Sequence, residues 1–399
     1  MSPKVSIALI TYNHEKFIRQ AIEGILIQTY ENYEIVIADD SSIDRTLQIV
    51  EEYSNRLPGR FKILKNVTNI GASKNFKKLL ESCDGKYVAL LDGDDFWINP
   101  EKLTIQVDFL EKNQEYVLAF HQSRILKEVD VRFGDFIPSK ISKQEEFSIV
   151  DVMNDLFMPT ASVVFRNGKI KKIPDWFEKL IVCDKPLHLM NLLYGEIKYF
   201  NECMSVYRIH ESGIWSTQRF EKRVEFDKNK IYMLENFNEY SNLIYEKEIK
   251  LAIKRCDMRI FINQLKNLKN LKLDEKDVMK IETNKKEISK YLISKKVYIF
   301  GTGEAGCDAY NVMNFCGIQV QGFLDNNPLK HDKEIYNKKI ISPNNLTREK
   351  ETFIVVGSMY YSEIKEQLIN SGYVENIDFI PNVETLHLIE KFKTEEVSC

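Results

Sequence analysis

The most constraining feature of the sequence is a short apolar run that ends in three closely spaced aspartates. The run Tyr87–Leu91 is followed by Asp92, Asp94 and Asp95. An uninterrupted apolar run of this length is typical of a strand buried on both faces, as in a parallel sheet covered by helices. Ligand sites in such sheets lie beyond the carboxyl ends of the strands. The pattern therefore predicts an α/β fold with an acidic site at one edge of its sheet.

The chemistry of this site follows from the charge of its side chains. Carboxylates this close together repel one another unless a cation lies between them. Oxygen ligands suit a hard divalent ion such as Mg²⁺ or Mn²⁺, which commonly bridges to the phosphates of a nucleotide. The alternative is a solvated acidic turn, because Asp-Gly pairs such as Asp92-Gly93 are frequent in turns.

Length and composition narrow the classes of function. The chain has 399 residues, enough for two or three domains, and a net charge of −3, which argues against a nucleic-acid partner. Seven cysteines without a CxxC pair argue against a zinc site or a disulfide framework and favour a reducing cytoplasm. We expect no signal peptide and no membrane span, and leave peripheral attachment to the inner face of a membrane open.

Strand and helix patterns alternate before the acidic site. Apolar runs typical of strands are followed by apolar residues at helical spacing, and the runs occupy Val5–Ile10, Tyr33–Ala38 and Phe61–Leu64. The first run ends at Thr11-Tyr12 and the second at Asp39-Asp40, so polar groups again follow the strands. This order is typical of an α/β nucleotide-binding half.

Five stretches, taken in order, resemble the family 2 glycosyltransferases of the GT-A fold. They are Val5–Asn13, Glu34–Thr46, Asn69–Asn75, Leu91–Asp95 and Cys183–Ser216. The resemblance implies a GT-A domain over residues 1–216. Residues 217–290 then have the apolar spacing of a helical connector, and residues 291–399 have the pattern of a small Rossmann-like domain.

The resemblance also implies a nucleotide site. Tyr12 would stack near the base, Asp40 would accept from the uracil N–H, and Lys74 would lie near a uracil carbonyl. Asp92 and Asp94 form the DxD signature, which serves the ribose and the metal in related chains. Each residue has a structural alternative: a core aromatic for the tyrosine, helix capping for Asp40, and a solvated helix face for the lysine.

The segment Cys183–Leu187 resembles the Gly-Asp-x-Pro-Leu segment of the family, although a cysteine stands where glycine or glutamate is commoner. Its aspartate, Asp184, is the implied general base. A hydroxyl is a poor nucleophile at neutral pH, and a carboxylate behind the anomeric carbon would take its proton as it attacks. Such an attack inverts the anomeric centre. The alternative role for Asp184 is to cap a helix.

The later segment Val206–Ser216 would fold over the diphosphate in similar enzymes. There Arg208 would counter phosphate charge and His210 would ligate the metal or touch a phosphate, while Trp215 would pack on the closed loop. The metal ligands implied are therefore Asp94, Asp95 and His210, with the choice among the aspartates left open. Upstream, the pattern of residues 159–167 predicts a strand, and the resemblance implies that this strand lies on the acceptor side.

The C-terminal third contains a dinucleotide fingerprint. The predicted strand Lys296–Phe300 leads into Gly301, Gly303 and Gly306, and a second strand ends at Asp325. These residues form a second candidate nucleotide site, and whether it takes NAD is left open. A Tyr-x-x-x-Lys match at residues 361–365 is interpreted as chance, because no supporting serine precedes it.

The sequence thus predicts transfer of a sugar of the GlcNAc, Glc or Gal type from a UDP-sugar. The acceptor would be a hydroxyl of a bacterial surface glycan, or of a protein Ser or Thr such as those of flagellin. One alternative is a sugar nucleotidyltransferase, but that class needs a Gly-rich loop where this chain has Thr11–His14. Another is a transferase whose C-terminal domain binds NAD or regulates it. Homodimerisation stays open.

Overall fold

The computed structural model describes residues 4–128, 131–138, 146–154, 156–211, 213, 220–266, 275–358 and 361–381. Trp215 and the tail after Lys391 lie outside the described residues. The chain divides into two compact units, and each combines two segments. The first unit is Met1–Arg219 with Tyr232–Ile249, and the second is Phe220–Ile231 with Lys250–Cys399.

The first unit alternates strands and helices, as its sequence predicts. Its strands are β1 (Val5–Thr11), β2 (Tyr33–Asp39), β3 (Phe61–Lys65), β4 (Tyr87–Asp92), β5 (Phe96–Trp97), β6 (Tyr116–Lys127), β7 (Arg132–Ile137), β8 (Glu146–Phe147), β9 (Val164–Arg166) and β10 (Glu196–Ile209). Its helices are α1 (Ile18–Leu26), α2 (Thr46–Arg56), α3 (Ala72–Glu81), α4 (Lys102–Lys112), α5 (Ile149–Met153) and α6 (Asp184–Leu192).

The strands of this unit form one mixed sheet in the order β3-β2-β1-β4-β9-β6-β10-β5, with β7 beside β6 and β8 beside β10. Strands β3, β2, β1 and β4 are parallel to one another, whereas β9 is antiparallel to both β4 and β6. Thr11 pairs with Asp39, and Ile10 pairs with Asp92. The polar ends of β1, β2 and β4 therefore meet at one edge of the sheet.

The centre of the sheet is fully buried. Every residue of Val88–Leu91 is at most 1% exposed, as expected for a strand covered on both faces. Helices α1 and α4 pack their apolar residues against the sheet, and buried side chains such as Ile22 and Leu103 join its core cluster. Burying a side chain of this size contributes roughly 1.5–3 kcal/mol. This core fixes the strand ends that carry the acids.

The prediction of one strand over residues 159–167 is wrong for its first half. Thr160–Ser162 forms a 3₁₀ turn, and strand β9 begins only at Val164. The hydroxyl of Ser162 donates to the carbonyl of Pro159 at 2.6 Å, and the Ser162 N–H donates to the same carbonyl at 2.8 Å. A serine whose hydroxyl bonds a backbone carbonyl three residues earlier competes with strand pairing, which the polar–apolar alternation could not reveal.

Three long helices occupy the region predicted as a helical connector: α7 (Phe220–Tyr240), α8 (Glu246–Lys266) and α9 (Glu275–Leu292). None of the helices in the described ranges is long and apolar enough to cross a bilayer. The boundaries predicted for the connector stay predictions, because the two compact units divide the chain within α7 and α8.

The second unit is also α/β. Its later elements are β11 (Lys296–Phe300), α10 (Glu304–Phe315), β12 (Val320–Leu324), β13 (Glu334–Ile335), β14 (Lys338–Ile341), β15 (Thr352–Val356), α11 (Tyr361–Asn370) and β16 (Phe379–Ile380). The sheet order is β13-β14-β12-β11-β15-β16, and all its pairs except β13–β14 are parallel. The assignment of this unit to the Rossmann type stays a prediction.

Candidate active site

A cleft of about 380 Å³ opens where the carboxyl ends of β1, β2 and β4 meet. It brings together side chains from all five stretches that carry the family resemblance. Its lining comprises Ile10, Thr11, Tyr12, His14, Asp40, Asn69, Ala72, Asn75, Phe76, Asp92, Asp94, Asp95, Phe157, Thr160, Ile181, Val182, Cys183, Asp184, Tyr207, Arg208, Ile209 and Gly213. Two of the predicted residues of this unit, Lys74 and His210, are not part of this lining.

Two of the clustered carboxyls favour the protonated form. Burial, reinforced by the charge of Asp94, raises the pKa of Asp92 to about 8. Burial and the charges of Asp94 and Asp92 hold the pKa of Asp95 well above its usual range. Oδ1 of Asp95 accepts from the backbone N–H of Arg208 at 2.8 Å, but its buried Oδ2 has no hydrogen-bond partner. A buried oxygen of this kind calls for a proton or a cation.

Asp94 behaves differently because two imidazoles lie beside it. Nε2 of His210 is 2.9 Å from Oδ2 of Asp94, and Nε2 of His14 is 3.8 Å from the same oxygen. Burial alone would raise the pKa of Asp94, but the hydrogen bond to His210 and the two histidines outweigh burial and lower it. Burial also lowers the pKa of His14. Asp94 therefore keeps its negative charge, whereas its two acidic neighbours tend to lose theirs.

Arg208 is held by several contacts within the protein. Its guanidinium forms an ion pair with Glu128, donates from Nη2 to Gln20 at 2.7 Å and donates from Nε to the carbonyl of Asp94 at 2.7 Å. It also lies 4.7 Å from the ring centroid of Phe17. This arrangement fixes the acidic turn to β10. Because Glu128 already balances the charge of Arg208, a phosphate would have to compete with this ion pair. The predicted contact of Arg208 with a phosphate stays a prediction.

Asp184 opens helix α6 and lines the cleft. Its Oδ1 accepts from the backbone N–H of Lys185 at 2.7 Å. Burial raises the pKa of Asp184 above its usual range. The preceding segment is anchored to α3, since the hydroxyl of Ser73 donates to the carbonyl of Leu180 and lies 3.0 Å from Sγ of Cys183. The unexpected cysteine thus packs inward, and the helix-cap alternative for Asp184 is not realised because Cys183 is the N-cap.

One end of the cleft, where the sequence predicts the nucleotide, contains Tyr12 and Asp40. Tyr12 is 40% exposed at the end of β1, so its ring is open to a ligand. Asp40 accepts from the backbone N–H groups of Ile70 and Gly71, both at 2.9 Å, which holds the loop at the start of α3. The two interpretations of Asp40 are therefore compatible, because it fixes this loop and also lines the cleft. Lys74 is exposed on α3, away from the lining.

The glycines of the second unit have a packing explanation. Gly301 has a φ of +111°, and a Cβ there would lie 2.3 Å from the carbonyl oxygen of Gly357. A Cβ at Gly306 would lie 2.1 Å from the carbonyl oxygen of Gly301, whereas one at Gly303 would meet open space. Asp325 accepts from Thr302 at 2.6 Å and from Lys330 at 2.9 Å. Close backbone packing thus accounts for Gly301 and Gly306 without a ligand, and a nucleotide site here stays a prediction.

Three residues of the cleft are not identified by the sequence patterns. His14 follows Tyr12-Asn13 at a strand end, so the rule that ligand sites follow strands could have identified it. Tyr207 lies in the segment Val206–Ser216 that the family resemblance covers, but the resemblance implies no role for it there, and Phe157 lies in a segment without a recognisable pattern. The rings of these two residues contact each other edge to face, with centroids 5.8 Å apart.

Two family models match the chain. Residues 6–166 match the model described as Glycosyl transferase family 2. Residues 293–377 match a model described as C2185-like, N-terminal. The first match covers the strand ends that carry Tyr12, Asp40 and the acidic turn. It ends before Asp184, so it does not by itself assign a role to that residue.

Curated relatives resemble the N-terminal half. An uncharacterized protein of Mycobacterium tuberculosis is 36% identical over 220 residues, which are 55% of this chain and 62% of the relative. The Escherichia coli protein WfgD, named a UDP-Glc:α-D-GlcNAc-diphosphoundecaprenol β-1,3-glucosyltransferase, is 38% identical over 109 residues, 27% of this chain and 42% of that protein. The chain thus spans less than two thirds of the length of each of these relatives.

Among solved structures, Staphylococcus aureus TarS 1–349 in complex with UDP-GlcNAc is 19% identical and matches with a TM-score of 0.49 over 72% of this chain and 81% of that chain. This likeness is too weak to support a statement about function. The family model, in contrast, matches the segments that form the sheet edge and its acidic turn. Residues 6–166 are therefore a glycosyl transferase family 2 domain.

Proposed function

We propose that the first unit is an inverting, metal-dependent glycosyltransferase that uses a UDP-sugar. One observation carries the proposal: carboxyls from two separate segments line the same cleft, the acidic turn after β4 and Asp184 at the start of α6. Tyr12 and Asp40 line that cleft as well. The family match supports sugar transfer, and the name of WfgD, which specifies UDP-Glc, supports a uridine nucleotide.

The donor atoms of the acidic turn fit a divalent cation. Oδ2 of Asp95 is buried and without a hydrogen-bond partner, and Asp94 retains its charge. Among the described residues, no three His, Cys, Asp or Glu side chains already form a complete set of ligands. An ion held here would therefore depend on substrate phosphates for its remaining ligands, as Mg²⁺ does where one or two carboxylates bind it. Asp94 and Asp95 would hold the ion, which would neutralise charge that develops on the departing diphosphate.

His210 takes a supporting position in this proposal. Its Nε2 lies 2.9 Å from Asp94, so it fixes the orientation of that carboxylate. Direct ligation of a metal by His210 would require this contact to open. We therefore propose that His210 orients Asp94, and that the carboxylates provide the protein ligands.

Each of the site residues would have a separate role in binding the donor or in the transfer step. Tyr12 stacks against the base, and Asp40 accepts from it while it holds the loop before α3. Asp184 accepts the proton of the acceptor hydroxyl as its oxygen attacks the anomeric carbon. The N–H of Lys185 fixes one oxygen of Asp184 and leaves the other for this task. The acceptor hydroxyl belongs to a glycan or to a protein side chain.

The test is a panel of nucleotide sugars incubated with the full chain and Mn²⁺, with release of the nucleoside diphosphate as the readout. We expect a UDP-sugar to be cleaved faster than its GDP, CMP and dTDP counterparts. Excess EDTA should abolish the signal, and full turnover in EDTA would remove the metal from the proposal. Release of pyrophosphate from UTP and a sugar 1-phosphate would instead support a nucleotidyltransferase.

A further inference from the structure

An exposed aromatic ring lies in the acidic cleft. Phe157 lines the cleft and is 37% exposed, although its side chain has no polar atom. It packs edge to face on Tyr207, at an interplanar angle of 79°. A large apolar side chain exposed within a concave polar site is characteristic of a surface that a ligand covers.

The aromatic pair Phe157–Tyr207 lies on the acid side of the cleft. Thr160, which closely follows Phe157, interacts through its side chain with Asp92. Tyr207 precedes Arg208, whose backbone N–H donates to Asp95. The nucleotide end is built by other elements, namely the ends of β1 and β2 and the start of α3. If the base lies there, the aromatic pair lies beyond the diphosphate, where an acceptor would enter.

The charges of the cleft restrict the acceptor. Five aspartates line it: Asp40, Asp92, Asp94, Asp95 and Asp184. Among the described lining residues, Arg208 is the one permanent cation, and Glu128 already pairs with it. A polyol phosphate would therefore find no unpaired permanent cation among the described lining residues, whereas a neutral acceptor needs none.

We propose that Phe157 and Tyr207 form an acceptor subsite for the pyranose ring of a neutral sugar. One face of a pyranose ring carries C–H groups, whose partial positive charge suits the negative face of an aromatic ring. The hydroxyls at the edge of the ring remain free to bond with polar groups such as Thr160. A serine side chain offers a single methylene and would leave most of the exposed ring of Phe157 uncovered.

The inference rests on the proposed function and specifies its acceptor. In the transfer, the bond between the anomeric carbon and the diphosphate oxygen breaks with its electron pair on the diphosphate. A hydroxyl oxygen of the stacked sugar forms the new bond to that carbon, and its proton passes to Asp184. The aromatic pair positions the acceptor ring and takes no part in proton transfer.

The experiment uses methyl β-glycosides of glucose, galactose and N-acetylglucosamine, whose methyl group adds no aromatic ring of its own. Saturation-transfer NMR with the full chain, UDP and diamagnetic Mg²⁺ in place of Mn²⁺ measures their binding without any turnover. A parallel transfer assay measures the KM for the glycoside and for the donor. The variants are Phe157→Ala, Phe157→Tyr and, as a matched control outside the cleft, Phe133→Ala, whose ring is 47% exposed on β7.

We expect Phe157→Ala to weaken glycoside binding and to raise the acceptor KM relative to the donor KM by roughly 2- to 10-fold. Phe157→Tyr should restore binding, and Phe133→Ala should match the wild type. Equal binding by wild type and Phe157→Ala would overturn the inference, as would transfer to peptides or polyol phosphates but not to glycosides. If glycoside binding depends on Phe157 but no nucleotide sugar is cleaved, the proposed function is refuted and the sugar subsite is not. The two outcomes can be distinguished because NMR measures binding independently of turnover.

Discussion

Replacement of Asp184 by Asn is the most direct test of the chemistry, because it removes one charge and leaves the local geometry in place. The Oδ1 atom of Asp184 accepts from the Lys185 N–H at 2.7 Å, and the amide oxygen of Asn can accept the same bond. Helix α6 should therefore begin unchanged. The variant loses only the ability to take a proton from the acceptor hydroxyl.

The size of the effect follows from the role of a general base. Such a group contributes about 10²- to 10⁴-fold to the rate, which corresponds to roughly 2.7–5.4 kcal/mol of barrier. We expect kcat for transfer to fall by this factor and the Kd for UDP to stay the same, as measured by a coupled UDP-release assay and by calorimetry. In the wild type, the rate should fall as the pH drops through the pKa of Asp184, which burial raises above that of an ordinary carboxyl.

The free energy of unfolding provides a control, because the raised pKa of Asp184 predicts that it changes with pH in the direction opposite to the transfer rate. The folded chain binds the proton of Asp184 more tightly than the unfolded chain, so the free energy of unfolding falls as the pH rises toward the folded-state pKa. Asn carries no charge, so Asp184→Asn should melt no lower than the wild type at neutral pH. Asp175→Asn, at a carboxyl 82% exposed, is the matched control for activity. Transfer at the wild-type rate by a folded Asp184→Asn variant would refute the assignment.

Three further substitutions test the surroundings of the site and the second unit. Asp95→Asn should raise the melting temperature at neutral pH without metal, because burial keeps the Asp95 carboxyl protonated in the folded chain whereas it ionises in the unfolded chain, and should weaken Mn²⁺ binding about tenfold or more in calorimetry. Arg208→Lys should lower the free energy of unfolding by roughly 1–3 kcal/mol in urea titration, because one ammonium group cannot replace the separate hydrogen bonds that Nε and Nη2 donate. Arg56→Lys, at an exposed position, is the control and should change it little. Gly301→Ala should lower the free energy of unfolding of the second unit by about 2 kcal/mol or more. Gly303→Ala, whose added methyl group meets open space, should change it by no more than ~0.5 kcal/mol. Equal losses of stability in the two variants would contradict the packing explanation.

The sequence predicts the sheet edge well because the signals there are local. Buried strands read as continuous apolar runs, and polar residues mark where they end. In the structure Ile10 pairs with Asp92, so two strand ends that the sequence marks with polar residues lie side by side. The α/β character of both units and the positions of Tyr12, Asp40 and the acidic turn therefore follow from the order of residues alone.

The remaining features depend on contacts between distant segments. The two imidazoles beside Asp94 come from residues 14 and 210, and the ion pair of Arg208 is made with residue 128. No spacing rule connects such positions, so the sequence indicates only the charge of Arg208 and not its partner. Family resemblance places Lys74 at the nucleotide, but the structure leaves it exposed on α3 and outside the cleft. Pairings of this kind require the fold.

The opposite pKa shifts within the acidic turn lead to a prediction about metal binding. Burial raises the pKa of Asp92 to about 8, so without a cation this carboxyl retains its proton at neutral pH. A divalent ion held by Asp94 and Asp95 would displace that proton, because a cation beside a carboxyl favours its ionised form. The affinity for Mn²⁺ should therefore rise by up to about tenfold per pH unit below pH 8 and level off above it. Calorimetry in two buffers of different ionisation enthalpy counts the released protons. Binding that is independent of pH over the ~2 units below the raised pKa, with no proton released, would show that the ion does not engage this turn.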